Sequence, residues 1–167
     1  MRFLYAAGAV LAAVFMVLIA AITLSQVVGR TLGFAVLDAG ELAGYAMAAS
    51  IFLALAHTFH SGGHIRVNLL LTHVGPRLRR ALEYWCLAFL SVVGGLFGVF
   101  SIKLVIDSYA FGDVSTGMMT IPLWIPQISM ALGALLLEIA VIEEFVHVVR
   151  GNKPRYERAE GAGVFTE

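Results

Sequence analysis

The residues of this chain that could do chemistry are few, and most stand at the ends of long apolar runs. Glu138 is the exception: it follows an uncharged stretch from Val114 to Leu137, with Glu143 and Glu144 further on. An ionisable group inside a bilayer is costly, so it is a candidate for ion or proton handling, or for a hydrogen bond between helices. Its depth depends on where its helix begins. Entry near Pro126 puts it mid-membrane, whereas entry near Gly117 brings it towards the far interface. His57 and His147 lie near the ends of two apolar runs. Two imidazoles at similar depth on different helices could ligate one haem, and interfacial solvation is an adequate alternative account of both. His60, His64 and His73 lack compact metal-ligand spacing. Asp38 and Glu41 have the D-x-x-E spacing of a capping box, and both suit the positive end of a helix dipole. Arg30 is then either an ion-pair partner for Glu41 or a headgroup anchor. The single cysteine, Cys86, reads as a small packing residue. There is no phosphate loop, nucleophile elbow, zinc motif or dinucleotide turn. No catalytic constellation, metal or cofactor is therefore expected.

The elements that must position these residues follow from composition. Of 167 residues, 60% are hydrophobic and 13% charged, with eleven basic and eleven acidic side chains. A soluble domain averages about 25% charged residues. This chain could not cover its own surface in water, which excludes an ordinary soluble domain. Disorder requires low hydrophobicity, and nucleic-acid binding a basic surplus; both are excluded as well. One cysteine excludes an internal disulfide. What remains is an all-α membrane protein. A span needs about 20 apolar residues, and four such stretches are present, at about 3–29, 37–58, 80–104 and 122–149. They form a single membrane domain over 1–150, followed by a polar tail at 151–167. Nine basic residues fall on one side of this arrangement, and only Arg30 and Lys103 on the other. The positive-inside rule then places both termini in the cytoplasm.

Between spans two and three, Val67, Leu70, Leu71, Val74 and Leu78 recur at helical spacing. This predicts an amphipathic helix over 65–74 lying in the membrane interface. Gly75-Pro76 ends it, and Pro76 suits the first turn of a new helix. Gly40 and Gly44, and likewise Gly94 and Gly98, are spaced by four. Such faces let helices approach closely in lipid, either within the unit or against another membrane protein.

Several stretches together resemble a known family. Gln26, Val27 and Arg30 close span one; Glu41, Leu42 and Tyr45 open span two. Gly62, His64 to Val67, Asn68, Leu69 and Leu70 follow it, and Ser115, Ile121, Pro122 and Trp124 approach the last span. Over roughly residues 10–150 this resembles the small integral membrane subunit (DctQ-like) of tripartite ATP-independent periplasmic (TRAP) transporters. The chain departs from the family's usual Pro and Trp before span two, having Val36, Leu37 and Asp38, and Gly40 stands before Glu41 where a second acid is common. The resemblance implies a non-catalytic subunit of the bacterial inner membrane that braces a large multispanning permease. That permease would hold the substrate and sodium sites, and a periplasmic binding protein would deliver an organic acid at the outer face. Arg30, Glu41, His64, Arg66, Gly40, Gly44, Gly94 and Gly98 are then candidates for subunit contact or interfacial positioning, with Arg66 among phospholipid headgroups. Two other readings of the residues stand beside this one: a haem-carrying anchor using His57 and His147, and a small proton-coupled exporter using Glu138.

Overall fold

The computed structural model describes residues 2–34, 38–61 and 75–150. These form four α-helices: α1 (Arg2–Leu32), α2 (Ala39–His60), α3 (Pro76–Phe111) and α4 (Trp124–Val149). At 1.5 Å per residue the shortest, α2, is about 33 Å long, enough to cross a hydrocarbon core of about 30 Å. All four are long and apolar enough to span a membrane. The expected 65–74 helix, with His64 and Arg66, and the 151–167 tail lie outside the described residues.

α2 and α4 form the inner pair. α1 packs on α2, and α3 is held mainly by α4. The inner face of α2 is built from Ala39, Ala46, Ala49, Ser50, Leu53 and Ala56, and that of α4 from Ala131, Gly133, Ala134, Ala140, Val141, Glu144 and Val148. Most of these side chains are small, so the backbones approach closely and dispersion contacts accumulate. A Cβ on Gly133 would run into the Phe52 backbone of α2, and one on Gly8 would lie 3.0 Å from the Leu53 carbonyl oxygen. Ser50 donates its hydroxyl across the α1–α2 seam to the Ala12 carbonyl at 2.9 Å. Phe52 and Phe97 stack at 5.9 Å between ring centroids and link α2 to α3.

The large apolar side chains mostly face outwards, among them Val10, Val14 and Val17 on α1 and Val92, Val99 and Phe100 on α3. Lipid tails are as apolar as these side chains, so helix association in a membrane depends on close packing and hydrogen bonds. A core of alanine and glycine with an aliphatic exterior is the result.

The helix ends are defined by backbone geometry. Pro76 occupies the first turn of α3, where its missing N–H would have had no partner. Gly112 ends the same helix at φ 67°, and the Asp113 N–H returns to the Ser108 carbonyl at 3.0 Å. That left-handed turn is the reason a glycine stands there.

Candidate functional site

For orientation, the end of the bundle that carries Asp38, Glu41 and the 112–123 loop is the acidic end. The opposite end, with His60, Pro76 and Arg150, is the basic end.

Glu138 stands just past the middle of the 26-residue α4, and its carboxylate meets α3. Ser91 donates its hydroxyl to Glu138 Oε1 at 2.8 Å. Oε2 is buried and has no hydrogen-bond partner. It fills the space over Gly94 where a Cβ would otherwise lie, and Oε1 lies 3.7 Å from the corresponding position at Gly95. The small face of α3 is therefore cut to the shape of one carboxylate. Of the candidate glycines, Gly94 receives Glu138, and Gly98 meets the Leu135 side chain at 3.6 Å from its would-be Cβ. Both lie in the α3–α4 seam. Gly40 and Gly44 differ: a Cβ on either would have nothing within 4 Å.

Asp38 and Glu41 do not form the expected capping box. Asp38 is the N-cap of α2 but holds a left-handed backbone at φ 51°, and its side chain makes no cap hydrogen bond. Its carboxylate instead accepts from the Met119 N–H in the 112–123 loop. Glu41 Oε1 accepts from the Tyr45 hydroxyl one turn along the helix at 2.5 Å. Both carboxylates close over Gly117, where a Cβ would collide with Glu41 Oε2 and lie 3.0 Å from Asp38 Oδ1. Helix capping lost to a tertiary demand, because the loop supplies an N–H that the carboxylate satisfies. Arg30 is exposed at the end of α1 and forms no ion pair with Glu41.

The loop itself is tightly tied. Val114 and Pro122 form an antiparallel bridge. The Ser115 N–H donates to the Ile121 carbonyl at 2.8 Å, and the Leu123 N–H to Asp113 at 2.9 Å. Buried Ser115 donates its hydroxyl to the Met119 carbonyl at 3.0 Å and accepts from the Ile121 N–H at 3.3 Å. Trp124 meets Tyr109 edge-on at 5.7 Å. The start of span two and the approach to the last span, separate in sequence, thus form one structure.

At the basic end, Tyr5 is 1% exposed. It donates to Glu143 at 2.9 Å and packs its ring against His60 at 4.7 Å. Tyr84 donates to the Val148 carbonyl at 3.3 Å, and Glu144 is buried beside them on α4. His57 is exposed, whereas His147 Nε2 is buried without a hydrogen-bond partner. Paired ligation of one haem needs both imidazoles turned into a shared cavity, and these two differ in their surroundings. Among the described residues, no group of three or more His, Cys, Asp or Glu could hold a metal ion.

Tyr5, Gly8, Ser50, Gly117 and Gly133 were not legible as contact residues from their sequence neighbourhoods. Ser91 carried a weak signal, since Ser91, Gly94, Gly95 and Gly98 share a helical face.

Four apolar helices joined by small-residue seams define a multi-pass helical membrane protein. Residues 19–151 match the family of tripartite ATP-independent periplasmic transporters, DctQ component. The chain belongs to that family and is a small permease subunit of a TRAP transporter. No curated protein and no solved structure matches it.

Proposed function

We propose that this subunit performs no chemistry and braces the large permease subunit during sodium-driven, binding-protein-dependent uptake of an organic acid. The observation that carries the bracing reading is the open face of α2. Gly40 and Gly44 have nothing within 4 Å of a would-be Cβ, and Met47 and Ile51 on the same helix are exposed. A small-residue face left unused inside the chain is suited to a helix of another subunit. The family supplies the partner's kind: a transporter of three components.

The basic residues favour a cytoplasmic basic end in the bacterial inner membrane. The Asp38–Glu41–Gly117 structure would then face the periplasm, where a binding protein docks. Arg30 would anchor α1 among the headgroups on that side. On the cytoplasmic side, His64 and Arg66 would position an interfacial segment against phospholipid, where each basic side chain contributes about 1 kcal/mol. Glu138 has a structural duty in this reading, since its contacts close the α3–α4 seam. Co-purification from native membranes tests the proposal. The chain should come out in stoichiometric complex with a much larger multispanning protein, and Gly44→Leu should break that complex while leaving the chain folded. Recovery of the chain only as a monomer or homo-oligomer under mild extraction would refute it.

A further inference from the structure

One side of the α3–α4 pair carries a groove that the bracing reading does not use. It is shallow and largely open to the outside, with a volume of about 400 Å³. Phe97, Phe100 and Leu104 of α3 and Met130 of α4 form apolar walls, and Lys103 and Asp107 stand along its acidic-end rim. Lys103 and Asp107 are one helical turn apart, so they lie on the same face. Neither takes a hydrogen bond or ion pair among the described residues.

Their height in the membrane can be read from the sequence. Between Glu83 and Lys103 lie nineteen uncharged residues, 84–102. At 1.5 Å each they extend about 28 Å, close to the thickness of the hydrocarbon core. Lys103 therefore sits where hydrocarbon gives way to headgroups, and Asp107 about 6 Å further out. A cation at the phosphate level, an anion just above it and an aromatic trough just below form a pattern complementary to a zwitterionic phospholipid. The order of the charges matters, because phosphate lies nearer the acyl chains than the terminal ammonium does. An anionic lipid would leave Asp107 opposed by like charge. A choline headgroup would offer it no N–H donor.

We infer that this groove binds one phosphatidylethanolamine-type lipid from the leaflet at the acidic end. Lys103 pairs with the phosphate, Asp107 accepts from the ammonium, and Phe97, Phe100, Leu104 and Met130 hold the upper part of an acyl chain. The inference needs only that the chain spans a membrane, so it stands or falls apart from the bracing reading.

The test uses the full chain together with any subunit that co-purifies, delipidated in detergent and titrated with phosphatidylethanolamine, phosphatidylcholine or phosphatidylglycerol. Native mass spectrometry counts the bound lipid. Phosphatidylethanolamine should be retained in preference to the other two. Lys103→Ala should weaken retention of that lipid about fivefold, the effect of one basic side chain at a headgroup, and Lys103→Arg should restore it. Asp107→Leu should abolish the preference among the three lipids, because leucine offers neither a charge nor an acceptor oxygen to the ammonium. Helicity by circular dichroism should match in all variants, since Lys103 is exposed, Asp107 is half-buried and, among the described residues, neither side chain ties α3 to another helix. Equal retention of the three lipids with no effect of the variants would overturn the inference as adventitious lipid. So would a photo-crosslinker placed at Phe100 that traps a protein, either another subunit or a second copy, in place of lipid.

Discussion

Ser91 on α3 gives its hydroxyl proton to Glu138 on α4 across 2.8 Å, which joins two helices by a polar contact in the middle of an apolar protein. The other carboxylate oxygen occupies the space left by the missing side chain of Gly94. Shape and hydrogen bonding therefore act on one residue at once, and they can be separated by mutation.

Ser91→Ala should cost about 0.6 kcal/mol, the average of a side-chain hydrogen bond between membrane helices. Gly94→Ala should cost more, about 1–3 kcal/mol, because the new methyl group displaces the carboxylate. In the double variant Gly94→Ala with Glu138→Ala the steric penalty should disappear. Unfolding titrations in detergent micelles check this, and additive costs in the double variant would show that Gly94 and Glu138 do not share the space.

Gly133→Ala should destabilise the chain by about 1–3 kcal/mol, since its Cβ would enter the Phe52 backbone and the α2–α4 pair would have to separate. Gly40→Ala and Gly44→Ala should stay within about 0.5 kcal/mol of the parent, as surface changes usually do. The same unfolding assay on the isolated chain distinguishes them. A loss at Gly44 equal to that at Gly133 would mean that the α2 face is already used within the chain.

Asp38→Ala should free the Met119 N–H and loosen the 112–123 loop without melting α2, because Asp38 contributes no side-chain cap to that helix. Limited proteolysis should then cut the loop several times faster, while helicity stays unchanged. Gly117→Val should give the same phenotype by pushing both carboxylates aside. Unaltered cleavage in both variants would remove the two acids as the loop's fastening.

Membrane orientation has a direct readout. In a Cys86→Ser background, Phe111→Cys at the acidic end should react with a membrane-impermeant maleimide added to intact spheroplasts. Arg150→Cys should react only after the membrane is opened. Both parent residues are exposed. The reverse pattern would invert the assignment made from the basic residues.

The existence of four helices was legible in the sequence because an uncharged run of span length is at home in a bilayer and costly in water. The open Gly40 and Gly44 and the seam-forming Gly94 and Gly98 have the same spacing in sequence, yet the structure treats them differently. Spacing tells which residues share a helical face and leaves open what that face meets. The same limit hid Gly133 and Gly8, isolated glycines whose significance comes from a backbone that approaches from another helix. Asp38 and Glu41 illustrate a local rule overruled. Their spacing fits a capping box, but the Met119 N–H and the Tyr45 hydroxyl are the partners in the folded chain. Tyr5 could not be read at all, since its bond to Glu143 joins the first helix to the last.

The order in which the helices pack bears on how the protein is made. α1 and α2 leave the ribosome first, and Gly8 and Ser50 let them close on each other at once. α3 follows with Ser91 and the bare surface at Gly94 uncovered, because its main neighbour is α4. Synthesis of the final helix therefore does three things together. It brings Glu138 to its waiting partner, places Gly133 on α2 and lets Glu143 capture Tyr5. A nascent chain stopped before residue 138 would hold a closed hairpin and an orphan span, the kind of half-built substrate that membrane quality control can recognise.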